Sequence, residues 1–66
     1  MRINKRDFEL AIAKSGKRTR EITSIGKVSA NVISRVRRDP EYMPNLVTIG
    51  KIARGLGVEV EYLVEV

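Results

Sequence analysis

The sequence contains no cysteine, no histidine and no tryptophan. Without cysteine the chain can form neither a disulfide framework nor a thiolate metal site, which fits a cytoplasmic protein. Histidine is the commonest general base and cysteine the strongest nucleophile, and both are missing here. The few carboxylates are scattered, and no glycine-rich phosphate loop is present. We therefore expect a protein that is not an enzyme and that uses no metal, cofactor or small-molecule ligand.

Long apolar runs are also absent, because no stretch approaches the roughly 18 residues needed to cross a bilayer. No secretory signal peptide pattern follows the first methionine. The 66 residues predict a single domain, residues 1–66. A chain of this size buries only about 60% of its unfolded surface. We expect one marginally stable domain of four or five short helices, without contact with a membrane.

Positive charge is concentrated in the first part of the chain. The net charge is +5, but residues 1–38 contain eleven Lys or Arg and three Asp or Glu, a balance of +8. Residues 39–66 contain two Lys or Arg and five Asp or Glu, a balance of −3. This division predicts one surface that meets a polyanion. Solvated surface charge without a partner is the simpler alternative.

Capping residues predict two helices in the first 27 residues. Asn4 is a good N-cap, with Asp7 three residues later, and Gly16 suits a left-handed C-cap. A second, shorter helix follows, with Thr19 as its candidate cap and Gly26 weakening its end.

The stretch VSANVISRVRR, residues 28–38, predicts a third helix with two different faces. At about 100° per residue, Val28, Val32, Ile33 and Val36 fall within one arc of about 140°. Ser29 is the natural N-cap of this helix. The opposite side carries Ala30, Asn31, Ser34, Arg35, Arg37 and Arg38. One face is therefore suited to a core and the other to a negatively charged partner.

The remaining chain predicts a loop, a fourth helix and an ambiguous tail. Pro40 and Pro44 forbid continuous helix between the third and fourth segments. From Asn45 an amphipathic pattern packs a fourth helix on the core until Gly57 ends it. Its inward residues are Leu46, Ile49, Ile52, Ala53 and Leu56. The tail, residues 58–66, alternates valine and glutamate as a strand does, yet it also fits one helical turn.

Two short helices joined by a tight turn, the second with a basic face, form a helix-turn-helix pattern. The segments VSANVISRVRR and PNLVTIGKIARGLGVEVEYL together resemble the phage repressor and Cro type helix-turn-helix proteins, the XRE-like regulators. The resemblance covers roughly residues 7–64. In the second segment the matching positions are Pro44, Leu46, Thr48, Ile49, Lys51, Ile52, Ala53, Leu56, Gly57, Val58 and Leu63. The resemblance implies an all-α, lambda-repressor-like domain of four to five helices. The tail of this domain is either helical or a short strand.

The sequence departs from the family pattern in the second helix and the turn. The family usually has a small residue where Thr23 stands, a large apolar residue where Gly26 stands, and glycine or asparagine where Lys27 stands. A second alignment makes Gly26 the turn glycine and Lys27 an insertion, which moves Ile25 into the apolar position. Both alignments remain open at this point, and neither changes the third helix.

The resemblance also implies a set of DNA contacts. A recognition helix reads base edges in the major groove from its first turns. The candidate base contacts are Ala30, Asn31, Ser34 and Arg35, all on the polar arc found from the helical pattern alone. The candidate contacts to the DNA backbone are Arg18, Thr19, Lys27, Ser29, Arg37, Arg38 and Asn45. Backbone contacts set register and affinity rather than sequence preference.

Each candidate has a structural alternative. Arg37 and Arg38 suit a helix C-terminus because cations offset its dipole. Ser29 is accounted for by capping alone, and Asn31 and Arg35 by surface exposure. Tyr42 is expected to brace the loop rather than to contact DNA.

The function implied by the resemblance is that of a sequence-specific transcriptional regulator of phage, mobile elements or bacteria, most often a repressor. We expect a homodimer on a two-fold site in double-stranded DNA, with residues 58–66 as the surface between copies. The alternative is a degenerate helix-turn-helix module that binds a protein partner.

Overall fold

The computed structural model describes residues 2–65 and is all-α, as predicted. It contains α1 (Lys5–Ser15), α2 (Thr19–Gly26), α3 (Ala30–Arg38), α4 (Leu46–Leu56) and α5 (Val60–Leu63). Within residues 2–65 there is no strand, and one isolated antiparallel bridge joins Ile3 to Val64. The helices enclose a single core. Its largest fully buried side chains are Phe8, Ile22, Ile33, Ile49, Ile52 and Leu63.

The ends of α1 follow from its capping residues. The Asp7 backbone N–H donates to the Asn4 side-chain oxygen at 3.0 Å, which satisfies one of the free donors of the first turn. Gly16 ends the helix in the left-handed conformation, with φ of 65°. Both predictions for this helix are confirmed.

The start of α2 differs from the prediction, because Thr19 is its first helical residue and Arg18 is the N-cap. Thr19 therefore does not cap the helix. The Arg18 backbone N–H instead donates to the Glu21 carboxylate at 3.0 Å. This contact from the Glu21 side chain is one half of a capping box, and it lets a residue without a capping side chain occupy the position that usually favours serine or threonine.

The turn between α2 and α3 follows the first of the two alignments. Gly26 is helical and buried, while Lys27 has a left-handed φ of 56° and ends α2. A Cβ on Gly26 would overlap the Lys51 carbonyl oxygen of α4. The glycine is thus required at this position because two helix backbones touch there.

Helix α3 is held on the core by its apolar face. Ser29 is its N-cap, as predicted, and accepts from the Asn31 backbone N–H at 3.0 Å. Ile33 and Val36 are buried, and Val32 is half-buried. Val28 is buried too, but it lies before the helix instead of on its face.

Helix α4 begins after Asn45, whose side chain accepts from the Thr48 backbone N–H at 2.9 Å, and ends at Gly57 with φ of 74°. Its predicted inward residues are buried except Leu46, which is 59% exposed. That prediction was wrong because the first turn of α4 extends past the edge of the core.

The tail combines both interpretations of its sequence. Residues 60–63 form the short α5, whose Leu63 is fully buried, and Val64 then pairs with Ile3. Val66 lies outside the described residues. None of the helices described is long and apolar enough to span a bilayer.

Candidate nucleic-acid interface

The candidate interface is the outer face of α3 together with the helix ends that surround it. Ile33 and Val36 fix α3 from below, so its polar residues point away from the core. The four predicted base contacts all lie exposed on this helix. They are Ala30, Asn31, Ser34 and Arg35. The structure therefore brings them together on the first two turns of one helix.

A shallow groove of about 360 Å³ separates the start of α2 from α3. Its lining residues are Thr19, Ala30, Ile33, Ser34, Arg37 and Arg38. All but Ile33 are predicted contacts, of which three were assigned to the DNA backbone and two to bases. The groove is lined by two hydroxyls and two guanidinium side chains, which is suitable chemistry for an anion.

Arg37 is already engaged within the chain. Its Nε donates to Glu9 Oε2 at 2.9 Å and its second terminal nitrogen donates to Oε1 at 3.0 Å. This bidentate pair joins α3 to α1, and sequence analysis did not find it because the partners are 28 positions apart. Within residues 2–65, Arg38 forms no ion pair with a carboxylate. Arg38 is thus the freer of the two cations.

Arg35 also has neighbours that sequence analysis did not assign. Its Nε lies 3.7 Å from Asp39 Oδ2, and its guanidinium carbon lies 4.5 Å from the centre of the Tyr42 ring. The Arg35 side chain is nevertheless 55% exposed. Tyr42 is half-buried and packs against the core, which matches the prediction that it braces the loop.

The other predicted backbone contacts lie at helix ends. Arg18 precedes α2, Lys27 occupies the turn before α3, and Asn45 precedes α4, and all three are exposed. The side-chain oxygen of Asn45 accepts the capping hydrogen bond, which leaves the side-chain NH₂ of Asn45 as a donor. Ser29 similarly accepts with its oxygen and keeps its hydroxyl hydrogen as a donor.

Comparison of the chain with protein-family models, with curated proteins and with solved structures found no match.

Proposed function

We propose that the protein is a sequence-specific regulator of transcription that inserts α3 into the major groove of double-stranded DNA. The observation that supports this most is the composition of the exposed α3 face. Asn31 and Arg35 carry the amide and guanidinium groups that bind adenine and guanine edges in bidentate fashion. Ala30 and Ser34 are small enough to let the helix approach the bases closely.

The surrounding groups fit contacts with phosphates. An α-helix that enters the major groove has the two DNA backbones beside it. Hydroxyl, amide and cationic side chains surround α3, at the ends of α2 and α4 and along the groove. These are Arg18, Thr19, Lys27, Ser29, Arg38 and Asn45. Arg37 belongs to the same proposed set, but its bidentate contact with Glu9 competes with a contact to a phosphate.

The chain is proposed to act as a homodimer that represses a promoter by occupying it in the cytoplasm. One nine-residue helix reads only a few base pairs, and a two-fold site doubles the contacts. The proposed contact between copies is the C-terminal segment, residues 58–66, of which the structure describes 58–65. Its apolar side chains Val58, Val60, Tyr62 and Val64 are half-buried on their own core, so each retains part of its surface for a partner.

The experiment that tests DNA reading is selection of bound duplexes from a randomised library at about 150 mM salt. We expect an enriched inverted repeat whose half-sites are about 10 base pairs apart. Arg35→Ala should relax one position in each half-site, because a bidentate contact to guanine contributes about 1–3 kcal/mol of discrimination. Binding without any enriched motif, weakening uniformly as salt rises, would contradict the proposal.

The dimer is tested by sedimentation of variants with and without the selected duplex. Val60→Glu should weaken self-association, since it places charge on the half-buried face of α5. Val47→Glu is the matched control on the exposed first turn of α4, where Val47 is 68% exposed. Dissociation by Val47→Glu alone would place the contact between copies on α4 instead.

A second candidate function is binding to a protein partner through a degenerate helix-turn-helix. Three large apolar side chains near the start of α4, Met43, Leu46 and Val47, are 57%, 59% and 68% exposed. Arg35 and Arg37 also have carboxylate partners within the chain. This candidate becomes the first choice if the selection returns no motif.

A further inference from the structure

We infer that Asp39 and Tyr42 are specificity-determining positioning residues, which hold the Arg35 guanidinium for one guanine and restrain it from phosphates. The inference rests on the proposed DNA-reading function. Neither residue belongs to the predicted set of DNA contacts, and both act through Arg35.

The geometry around Arg35 leaves one end of its guanidinium available. Asp39 Oδ2 lies 3.7 Å from Nε, and the guanidinium carbon lies over the Tyr42 ring, 4.5 Å from its centre. The two terminal nitrogens remain for a bidentate contact with O6 and N7 of guanine. A cation–π contact with an aromatic ring also limits the rotation of a long, flexible side chain.

The loop that carries Asp39 and Tyr42 is itself fixed by hydrogen bonds. The Asp39 backbone N–H donates to the Arg35 carbonyl at 2.8 Å, and the Tyr42 N–H donates to the Asp39 carbonyl at 3.1 Å. Asp39 Oδ1 accepts from the Glu41 N–H at 3.0 Å, so its other oxygen is directed toward Arg35. Tyr42 packs on the core. The two groups beside Arg35 are therefore held by backbone and core contacts.

The Asp39 carboxylate has a second effect, on discrimination between bases and phosphates. A negative charge beside the guanidinium reduces its attraction to every phosphate. A guanine edge is neutral and offers two directed acceptors, so its contact with the terminal nitrogens is reduced less. Asp39 thus lowers nonspecific binding more than specific binding, although the exposed ion pair adds little to the stability of the fold.

The test measures affinity for the selected duplex, for a duplex changed at the base pair that Arg35→Ala relaxes, and for random duplex DNA. Tyr42→Leu should lower discrimination at that base pair about two- to tenfold, the range of an exposed to partly buried cation–π contact. Tyr42→Phe, which keeps the ring, should leave discrimination unchanged. Asp39→Asn should raise affinity for random DNA and lower discrimination at the same pair.

As a control, Tyr42→Leu and Asp39→Asn are each combined with Arg35→Ala. In that background neither should change discrimination at this base pair further. A uniform loss of affinity for all three duplexes with Tyr42→Leu, together with unchanged binding of random DNA by Asp39→Asn, would overturn the inference while the proposed function stands. Failure of the unsubstituted protein to select any motif would overturn both. Thermal unfolding of each variant identifies loss of fold, in which case Asp39→Asn alone decides the inference.

Discussion

At the scale of single residues, Gly26 decides how closely α2 approaches α4. Its missing side chain leaves room for the Lys51 carbonyl, and Gly55 does the same on α4 for the Ile22 carbonyl of α2. Glycine within a helix ordinarily costs stability, up to about 1 kcal/mol relative to alanine. Here the two backbones occupy the space that side chains would need, so the helices pack closely at this crossing.

Substitution of Gly26 by alanine should therefore destabilise the fold, by roughly 1–3 kcal/mol, because an added methyl group meets backbone that must shift. Gly50→Ala is the matched control, since nothing lies within 4 Å of a Cβ built there. It should stabilise the fold by up to about 1 kcal/mol through helix propensity. Urea unfolding measures both, and equal effects at the two sites would show that the α2–α4 crossing is looser than described.

Sequence reasoning at this scale succeeded where the physics is local. Asn4 and Ser29 each cap the next helix, as predicted from their side-chain chemistry. Asn45 caps α4 in the same way, although it was predicted only as a contact to the DNA backbone. It failed at Thr19, where the neighbouring Glu21 stabilises the helix start in a different register. It also left the turn undecided, because the reason for glycine at position 26 is a carbonyl on α4, 25 positions later.

At the scale of helices, the Glu9–Arg37 pair connects α1 to the carboxyl end of α3. Both side chains remain partly exposed, 38% and 46% respectively. Such pairs contribute about 0–1 kcal/mol to folding. The pair matters more for the charge of the candidate interface than for stability, because it neutralises Arg37, a cation that lines the groove beside the α3 face.

Glu9→Gln should change the stability of the fold little and should strengthen binding to duplex DNA at low salt. The freed Arg37 adds about one phosphate contact, which steepens the dependence of log affinity on log salt by about 0.9. Glu61→Gln on α5 removes the same charge far from Arg37 in the sequence and serves as the control. Binding titrations over a range of salt compare the two, and equal slopes would mean that only net charge matters.

Helix positions were predictable from the sequence, but the partners of the arginines were not. The apolar and polar faces of α3 follow from spacing along one helix. The contacts of Arg35 with the 39–42 loop, and of Arg37 with α1, depend on tertiary packing that one helix does not encode. The sequence therefore predicted which residues make up the candidate interface. Only the structure showed which of its arginines lie beside carboxylates.

At the scale of the whole molecule, the short tail completes the core. Leu63 of α5 has no exposed surface, although its helix has only four residues. In a domain of this size the total free energy of folding is small, commonly about 5–15 kcal/mol, so one buried leucine is a substantial part of it. The tail is consequently a structural element as well as a proposed contact between copies.

Leu63→Ala should destabilise the fold by about 2–5 kcal/mol, the usual cost of truncating a buried leucine. Leu46→Ala is the control, because Leu46 is 59% exposed and its truncation removes little buried surface. Urea unfolding at fixed protein concentration measures both. If Leu63→Ala behaves like Leu46→Ala, the tail is not needed for the core, and removal of the residues after Gly57 becomes a clean test of dimerisation.

The pairing of the two chain ends has a consequence for hydrogen exchange. The Asn4 N–H donates to the Leu63 carbonyl at 2.6 Å, and the Glu65 N–H donates to the Arg2 carbonyl at 3.0 Å. Chain ends ordinarily exchange their amide protons fastest, because they open without the rest of the fold. Here each end is the hydrogen-bonding partner of the other, so the amides of Asn4 and Glu65 open in one event. A substitution or a change of conditions that alters the protection factor of the Asn4 amide should therefore alter that of the Glu65 amide in the same direction.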